Sequence, residues 1–255
     1  MRALVLSGGG MFGAYQAGAW DALSANFRPD IVIGSSVGAL HAWLIAGGAP
    51  AAEIIRLWRV NPGALRWRLP RSPWDGLVDA SAFEARVRSI HEAWRPRIPV
   101  GIVTTEWRAL RPRLYRDSEI GWRHLASSCA VLGALPQYGL DGRRSSDGGL
   151  LGALPLWAAG EAGATSVVAI DLLPRMPFPV PWMLRLLRAV SPSRDWAFSG
   201  LVVRIAPQRR LGGLRDAAIW NRDNVERWIA QGRADASAAV FTLAGEPCDA
   251  ATIMP

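Results

Sequence analysis

Two short apolar runs near the N-terminus each end in a cluster of glycine and serine, and a helical pattern follows each cluster. Residues 3–6 lead into a glycine-rich turn at 7–10, and residues 30–33 lead into a second turn at 34–38. Strands that alternate with helices pack most simply into a parallel sheet. This alternation therefore predicts an α/β fold with its functional loops at the carboxyl ends of the strands.

The alternation continues along the chain, with no internal repeat and no break in composition. Further strands are predicted at 99–106, 113–116, 166–171 and 202–205. Helices are predicted at 13–23, from 38 to about 48, and at 53–60, 81–91 (with Ser81 as N-cap), 122–130, 154–162 and 215–231. The stretch 61–79, rich in Pro, Trp and Arg, has no clear period and is predicted to be irregular. We therefore expect one domain over residues 1–255.

The composition excludes several classes of protein. Half of the 255 residues are hydrophobic, which is too many for a disordered chain. Two cysteines, Cys129 and Cys248, are too few for a disulfide scaffold or a Cys-rich zinc module. The three histidines, His41, His91 and His124, share no short ligand spacing, so we expect no structural metal.

The charge is one-sided. All 29 basic residues are arginine, against 21 acidic residues, which gives a net charge of +8. Such a surplus favours an anionic partner, such as phospholipid headgroups, nucleic acid or an acidic substrate. A coding bias toward arginine on an ordinary solvated surface explains the same count, because no run of five or six basic residues occurs. Both explanations stay open.

Contact with an anionic membrane is an expectation that rests on two segments. Residues 174–193 interleave Arg with Phe, Trp, Met and Leu, and the stretch 65–74 is rich in Trp and Arg. An amphipathic segment lying on a bilayer fits this pattern, and so does a prolyl loop followed by a helix that packs in the core. No apolar run reaches about 18 residues, and no signal-peptide pattern begins the chain, so we expect a cytoplasmic protein.

The turn at 34–38 is a G-x-S-x-G motif between an apolar strand and an apolar helix. A serine at the centre of such a strand-to-helix turn is pushed clear of the sheet, and the glycines on either side, Gly34 and Gly38, relieve the crowding. Ser36 is therefore a candidate nucleophile. A turn of small residues with a serine N-cap is the alternative.

The first turn carries Gly8, Gly9, Gly10 and Gly13, which have two interpretations. The spacing of Gly8, Gly10 and Gly13 satisfies G-x-G-x-x-G, but a dinucleotide site needs an acidic residue at the end of the next strand, and none is there. The loop can instead donate backbone N–H groups to an oxyanion beside Ser36. The oxyanion hole is the better interpretation.

A nucleophilic serine needs a base. No histidine follows residue 147, which excludes the Ser–acid–His order of α/β-hydrolases, and His41 would face away on the helix after Ser36. Asp147, followed by Gly148 and Gly149, is the better candidate, although a turn residue is the alternative. A carboxylate is a weak base for an alcohol, so proton transfer must be concerted with attack and helped by the oxyanion site.

Four sequence blocks together resemble the patatin-like phospholipases. They are "LVLSGGG..GAYQAG" at 4–18, "GSSVGAL" at 34–40, "ASSCAVLGALP" at 126–136 and "DGGLLGALPLWAAGEAGATSVVAID" at 147–171. The resemblance implies a three-layer α/β fold, with a mostly parallel central sheet and helices on both faces. It also implies a Ser36–Asp147 dyad, with Gly8, Gly9, Gly10 and Gly13 as the oxyanion loop.

The implied activity is hydrolysis of a lipid acyl ester through an acyl-enzyme, without a metal or cofactor. Acyl transfer to another acceptor would share this intermediate. One position departs from the family: Phe12 stands where the glycine loop usually carries Arg or Lys. A catalytically weak or inactive membrane-binding protein is therefore the main alternative. A nucleic-acid binder is less favoured, because no binding motif accompanies the arginines.

Overall fold

An eight-stranded sheet forms the centre of the molecule in the computed structural model, which describes residues 1–63, 66–72, 74–174 and 197–245, with the single residues 186, 189 and 191. The strands are β1 Arg2–Leu6, β2 Ile31–Ser35, β3 Val100–Glu106, β4 Arg111–Arg116, β5 Tyr138–Leu140, β6 Arg143–Ser146, β7 Ser166–Ile170 and β8 Leu201–Ile205. Their order is β5-β6-β3-β2-β1-β7-β8, and β4 pairs with β3. Pairs among β3, β2, β1, β7 and β8 are parallel, and the other pairs are antiparallel.

Helices cover both faces of this sheet. They are α1 Gly13–Leu23, α2 Val37–Ala46, α3 Ala51–Arg59, α4 Ser81–Ala93, α5 Trp122–Ser128, α6 Leu156–Glu161, α7 Leu214–Ala218 and α8 Arg222–Gly245. Short 3-10 turns occupy Gly10–Phe12 and Asp117–Glu119.

Alternate residues of each central strand enter two different hydrophobic cores. Leu4 and Leu6 of β1 pack in the larger core with residues of α1, α2 and α8. Ala3 and Val5 pack in the smaller core, which includes residues of α6. All four side chains are fully buried, as expected for a parallel strand that is covered on both sides. The fold is therefore a three-layer, mostly parallel α/β sandwich, as the sequence predicts.

The sheet brings three loops to one edge. Leu6 at the end of β1 lies opposite Gly34 at the end of β2, so the two glycine-bearing turns leave the sheet side by side. Strand β6 runs against β3 and places Ser146 opposite Thr105. The loop after β6 therefore also begins at the carboxyl edge of the parallel strands, where α/β folds form their sites.

The hairpin of β5 and β6 and the break between α7 and α8 differ from the sequence-based expectation. Asp141 and Gly142, both with positive φ, form a two-residue turn between β5 and β6, where only a loop was predicted. The helix predicted at 215–231 is two helices. Asn221 accepts a hydrogen bond from the backbone N–H of Asn224, which starts α8 anew.

Smaller differences concern a cap and the predicted membrane segments. Ala80, not Ser81, is the N-cap of α4, and the Asp79 carboxylate accepts the Ser81 N–H. Most of 174–193 lies outside the described residues, as do positions 64, 65 and 73 of the irregular stretch. None of the helices within the described ranges is both long and apolar enough to cross a bilayer.

Candidate active site

The turn between β2 and α2 holds Ser36 in a strained backbone conformation. Its φ of 56° and ψ of −127° lie in a region that L-residues seldom adopt and that costs roughly 1–3 kcal/mol. The flanking glycines make the turn possible. A Cβ on Gly34 would lie 2.0 Å from the Gly38 carbonyl oxygen, and a Cβ on Gly38 would lie 2.4 Å from the Leu6 carbonyl oxygen. The predicted elbow glycines are thus required by close backbone contacts.

The Ser36 hydroxyl donates a hydrogen bond to Asp147. The distance from Ser36 Oγ to Asp147 Oδ2 is 2.7 Å, although 111 residues separate the two in sequence. Ser36 is 7% exposed and Asp147 is 9% exposed, so the pair is nearly buried and reaches the surface only narrowly. The structure therefore brings together the two side chains that the sequence singles out.

Several backbone contacts hold Asp147 in place. Its N–H donates to the Ala130 carbonyl (3.0 Å), its own carbonyl accepts from Thr105 Oγ1 (2.9 Å), and its Oδ1 accepts from the Gly149 N–H (2.7 Å). Gly148 passes so close to β3 that a Cβ there would lie 2.1 Å from the Val103 carbonyl oxygen. The Asp-Gly-Gly sequence thus fits the loop tightly against the sheet.

Burial changes the acidity of the dyad carboxyl. Loss of hydration raises the pKa of Asp147 to about 6, while the hydrogen bonds from Ser36 and the Gly149 N–H act in the opposite direction. A carboxylate with this pKa accepts a proton more readily than one at the surface and is still ionised at neutral pH. These are the properties that a general base requires.

Ser128, at the end of α5, connects the backbone of Ser36 to the sheet and also binds the backbone of Gly148, next to Asp147. Its Oγ accepts the Ser36 N–H (2.8 Å) and donates to the Val103 carbonyl (2.7 Å). Its carbonyl accepts the Gly148 N–H (3.0 Å). The resemblance includes Ser128 in the block at 126–136, but sequence reasoning assigned it no role, because its partners Ser36 and Val103 lie 92 and 25 positions away along the chain.

The glycine loop lies directly against Ser36. A Cβ on Gly8 would be 3.0 Å from the Ser36 Cβ, and Gly10 has a φ of +58°. The Gly8 N–H donates to the Ala153 carbonyl, and the Gly13 N–H donates to the Gly10 carbonyl. The N–H groups of Gly9 and Gly10 donate to none of the residues described here, and Gly9 is half-buried while Gly10 is exposed. Of the four predicted loop glycines, these two have N–H groups available to a ligand.

Phe12 lies in the core. It is 4% exposed, and its ring meets the Trp228 ring edge-on at 5.1 Å between centroids. A guanidinium or ammonium group at this position would enter an apolar environment between α1 and α8. The departure from the family pattern is therefore accommodated by packing on α8.

None of the three histidines contacts Ser36. Trp58 Nε1 donates to His41 Nε2 (2.8 Å), so His41 Nδ1 carries the proton and donates to Gln16 Oε1 (2.9 Å). Gln16 Nε2 in turn donates to the Ser7 carbonyl (2.8 Å), immediately before the glycine loop. Burial lowers the pKa of His41 to about 3, which keeps its ring neutral. His41 thus faces away from Ser36, as predicted. Through Gln16 it helps to hold the Ser7 carbonyl, at the start of the glycine loop.

The other two histidines also have structural partners. The His124 ring accepts the Gly121 N–H at the start of α5, and the His91 ring stacks on Trp43. Within the described ranges, no group of three or more His, Cys, Asp or Glu side chains is arranged to hold a metal ion.

A family model of the patatin-like phospholipases matches residues 4–159. This match covers more than half of the chain and includes both Ser36 and Asp147. The chain belongs to the patatin-like phospholipase family. The blocks at 4–18, 34–40 and 147–171 all begin within the matched range, in the order that the resemblance requires.

Individual relatives match part of the chain. Patatin-like phospholipase domain-containing protein 6 of Homo sapiens is 31% identical over 190 residues, which are 67% of this chain. The corresponding protein 7 of Rattus norvegicus is 29% identical over 184 residues, also 67% of this chain. The chain spans about 13% of the length of each of these relatives. VipD of Legionella pneumophila has the same fold, with a TM-score of 0.55 and 12% identity over 94% of this chain and 67% of VipD.

Proposed function

We propose that this protein hydrolyses carboxylic ester bonds of phospholipids or related lipids through an acyl-enzyme on Ser36. The observation that carries the proposal is the 2.7 Å hydrogen bond from Ser36 Oγ to Asp147 Oδ2, on a strained turn beside the glycine loop. Membership of the phospholipase family supports a lipid ester as the substrate. A curated relative from Drosophila melanogaster, 28% identical over 189 residues, is itself named an esterase.

In the proposed first half-reaction, Ser36 Oγ attacks the ester carbonyl carbon while Asp147 Oδ2 accepts the hydroxyl proton. The carbonyl oxygen becomes an oxyanion that the N–H groups of Gly9 and Gly10 stabilise. Collapse of this intermediate breaks the bond to the leaving alkoxide, which takes the proton from Asp147. The acyl group remains on Ser36 as an ester.

In the second half-reaction, Asp147 accepts a proton from water, and the resulting nucleophile attacks the acyl-enzyme carbonyl. The same amides stabilise the second oxyanion, and its collapse releases a fatty acid and returns the proton to Ser36. The scheme calls for no metal or cofactor. An acceptor alcohol in place of water would turn the same cycle into acyl transfer.

The test compares wild type with Ser36→Ala on a soluble nitrophenyl butyrate and on a phospholipid in mixed micelles. We expect the wild-type protein to release nitrophenol and fatty acid, and Ser36→Ala to lose on the order of 10⁴-fold or more in rate. Equal rates for the two proteins would contradict the proposal. Unchanged thermal unfolding of the variant serves as the control for folding.

A membrane-binding protein with little or no turnover is the second candidate, and Phe12 favours it. The family cation of the glycine loop is replaced here by a ring that packs on Trp228, so one source of oxyanion stabilisation is missing. This candidate gains if wild type and Ser36→Ala are equally inert toward both esters and both bind anionic vesicles.

A further inference from the structure

Exposed apolar side chains concentrate on two neighbouring segments beside the site. Five of the eleven large apolar side chains that are exposed in the described part of the chain lie there: Trp67 (74%), Leu69 (93%), Leu77 (46%), Val131 (51%) and Leu132 (40%). We call these five residues, with the arginines at 66, 68 and 71, the hairpin surface. Clustered apolar exposure of this kind marks an interaction site more often than scattered residues do.

Backbone hydrogen bonds join the two segments into one unit. Trp67 pairs with Val78 in an antiparallel bridge, and the N–H groups of Leu77 and Val78 donate to the carbonyls of Gly133 (3.0 Å) and Ala134 (2.9 Å). The position of the apolar side chains is therefore fixed relative to the body of the protein.

This unit is continuous with the dyad. The Ala130 carbonyl that accepts the Asp147 N–H immediately precedes Val131 in the chain. Gln137 Nε2 donates to the same carbonyl (3.1 Å), and its backbone N–H donates to the Trp74 carbonyl (2.8 Å). A molecule seated on the hairpin surface would therefore meet the protein close to Asp147.

The charges of the hairpin favour an anionic partner. Arg66, Arg68 and Arg71 are all exposed, and no carboxylate of the described chain forms an ion pair with them within 4 Å. The two nearby acids are occupied by the backbone: Asp75 accepts the Arg71 N–H (3.0 Å) and Asp79 accepts the Ser81 N–H (2.9 Å). The Arg68 guanidinium also donates one hydrogen bond to the Asp75 carbonyl (2.5 Å). Its remaining N–H groups, and those of Arg66 and Arg71, are available to an anion.

Charged and apolar groups also meet in one groove. It has a volume of about 570 Å³ and is lined by Arg68, Leu69, Arg71 and Asp75. Two arginines beside a leucine that is 93% exposed match a phosphate group with hydrocarbon next to it, and they outnumber the one acid of the groove, Asp75, whose carboxylate accepts the Arg71 N–H. Among anionic partners, phospholipid combines these two features, whereas a nucleic acid would leave Leu69 in water.

We propose that the hairpin surface docks this protein on a phospholipid bilayer that carries anionic headgroups. Trp67 and Leu69 enter the interface, Arg66, Arg68 and Arg71 contact phosphates, and Val131 and Leu132 lie at the rim nearest Asp147. The docking proposal rests on the proposed function, because docking would bring the lipid substrate to Ser36 and Asp147. Its test does not depend on turnover.

The test measures binding to vesicles by co-sedimentation in a Ser36→Ala background, so that the lipid stays intact. The vesicles contain phosphatidylcholine with or without phosphatidylglycerol. We expect Trp67→Ala/Leu69→Ala to bind at least tenfold more weakly than the parent. The matched control is Leu201→Ala. Leu201 is also exposed (59%) and lies at the amino end of β8, at the opposite end of the parallel strands from the site. This variant should bind within twofold of the parent.

A second pair of variants tests the charges. Arg66→Gln/Arg71→Gln should lose most of the preference for phosphatidylglycerol, roughly fivefold per arginine at low salt, and added salt should abolish the difference. Arg2→Gln/Arg95→Gln removes the same charge from two exposed arginines near the amino edge of the sheet and should keep the preference. Because Arg66→Gln/Arg71→Gln leaves Trp67 and Leu69 in place, it tests the proposal even if Trp67→Ala/Leu69→Ala disturbs the folding of this segment.

Three results would overturn the docking proposal. The first is no binding of the parent protein to anionic vesicles, and the second is an equal loss in the control variants. The third is a change of oligomeric state in Trp67→Ala/Leu69→Ala with vesicle binding intact, which would make the surface a contact between copies. Hydrolysis of soluble nitrophenyl butyrate by the same variants with Ser36 restored reports separately on the proposed function, and we expect it to stay at the wild-type rate.

Discussion

The turn after β2 and the turn after β1 are built from the same kinds of residue, yet they present different groups to the site. In the turn after β2, Ser36 is nearly buried, and its backbone N–H and hydroxyl are both bonded, to Ser128 and Asp147. In the turn after β1, Gly9 and Gly10 reach solvent with N–H groups that bind no described residue. One turn fixes a side chain, and the other leaves backbone donors free.

The difference arises from the surroundings of each turn. The turn after β2 is enclosed by α5 and by the loop after β6, which supply hydrogen-bond partners from distant parts of the chain. The turn after β1 is held at its first two residues: Ser7 binds Gln16 and Leu172, and the Gly8 N–H donates to the Ala153 carbonyl. A strand–turn–helix sequence therefore gives the position of a site, whereas its neighbours decide which atoms react there.

Replacing Asp147, the proposed base, should have the largest effect on activity. Asp147→Asn retains the shape of the side chain but cannot accept the Ser36 proton, so we expect kcat for nitrophenyl butyrate to fall about 10³-fold. Because burial raises the pKa of Asp147 from 3.8 to about 6, stability falls as the pH rises across this interval, and the full cost of the ionised carboxylate is present at pH 7. Asp147→Asn carries no such charge and should unfold at pH 7 no more easily than wild type. Wild-type activity in this variant would show that Ser36 is activated by another group.

Disturbing the backbone donors should have the next largest effect. Gly10→Ala places a side chain on a residue with φ of +58° and within 2.3 Å of the Ala217 carbonyl oxygen, so the loop must move. We expect kcat to fall about 100-fold, the loss typical of one missing oxyanion donor. Gly163→Ala is the control, since it has a φ of +82° with no atom within 4 Å and lies far from the loop. Equal kinetic losses in both variants would mean that backbone strain alone is responsible.

The pH dependence of activity should separate the contribution of Asp147, the proposed base of Ser36, from that of the glycine loop. The proposed mechanism requires ionised Asp147, whose pKa is about 6, so kcat/KM for nitrophenyl butyrate should rise with pH, be half-maximal near pH 6 and be about tenfold lower at pH 5 than at the plateau. The glycine amides do not titrate. The residual activity of Asp147→Asn should therefore lack this ionisation. A rate that stays flat between pH 5 and pH 8 would argue against Asp147 as the base.

The smallest expected effect concerns the support of the serine turn. Ser128→Ala removes the hydroxyl that joins the Ser36 N–H to the Val103 carbonyl, and we expect kcat to fall about tenfold with KM little changed. Ser127→Ala is a closely matched control on the same helix. Both serines are fully buried, but Ser127 Oγ has no hydrogen-bond partner among the described residues. Similar kinetics for the two variants would show that Ser128 only fills space.

The positions of the site residues could be predicted from local sequence. Glycine and serine after two apolar runs are sufficient to place Gly8–Gly13 and Ser36 at one sheet edge, and the Asp147-Gly148-Gly149 sequence marks the third loop. The exclusion of His41 as a base also followed from its place on the helix after Ser36. In each case the deciding residues lie within a few positions of one another.

The remaining features depend on contacts between distant residues. Ser128 meets Ser36 across 92 positions, and no pattern around either one indicates the pairing. The arrangement of Leu77 and Val78 against 133–134 follows from backbone hydrogen bonds, and no hydrophobic period in the sequence predicts it. The β5–β6 hairpin is different, because Asp141-Gly142 is a recognised turn signal and could have been used.

The most direct test of the account is to treat the protein with a fluorophosphonate probe and locate the adduct by peptide mass spectrometry. We expect a single adduct on Ser36 in wild type, formed far more slowly in Asp147→Asn and absent in Ser36→Ala. An adduct on another residue, or ester hydrolysis that continues after Ser36 is fully labelled, would contradict the assignment of the Ser36–Asp147 pair as the reacting group.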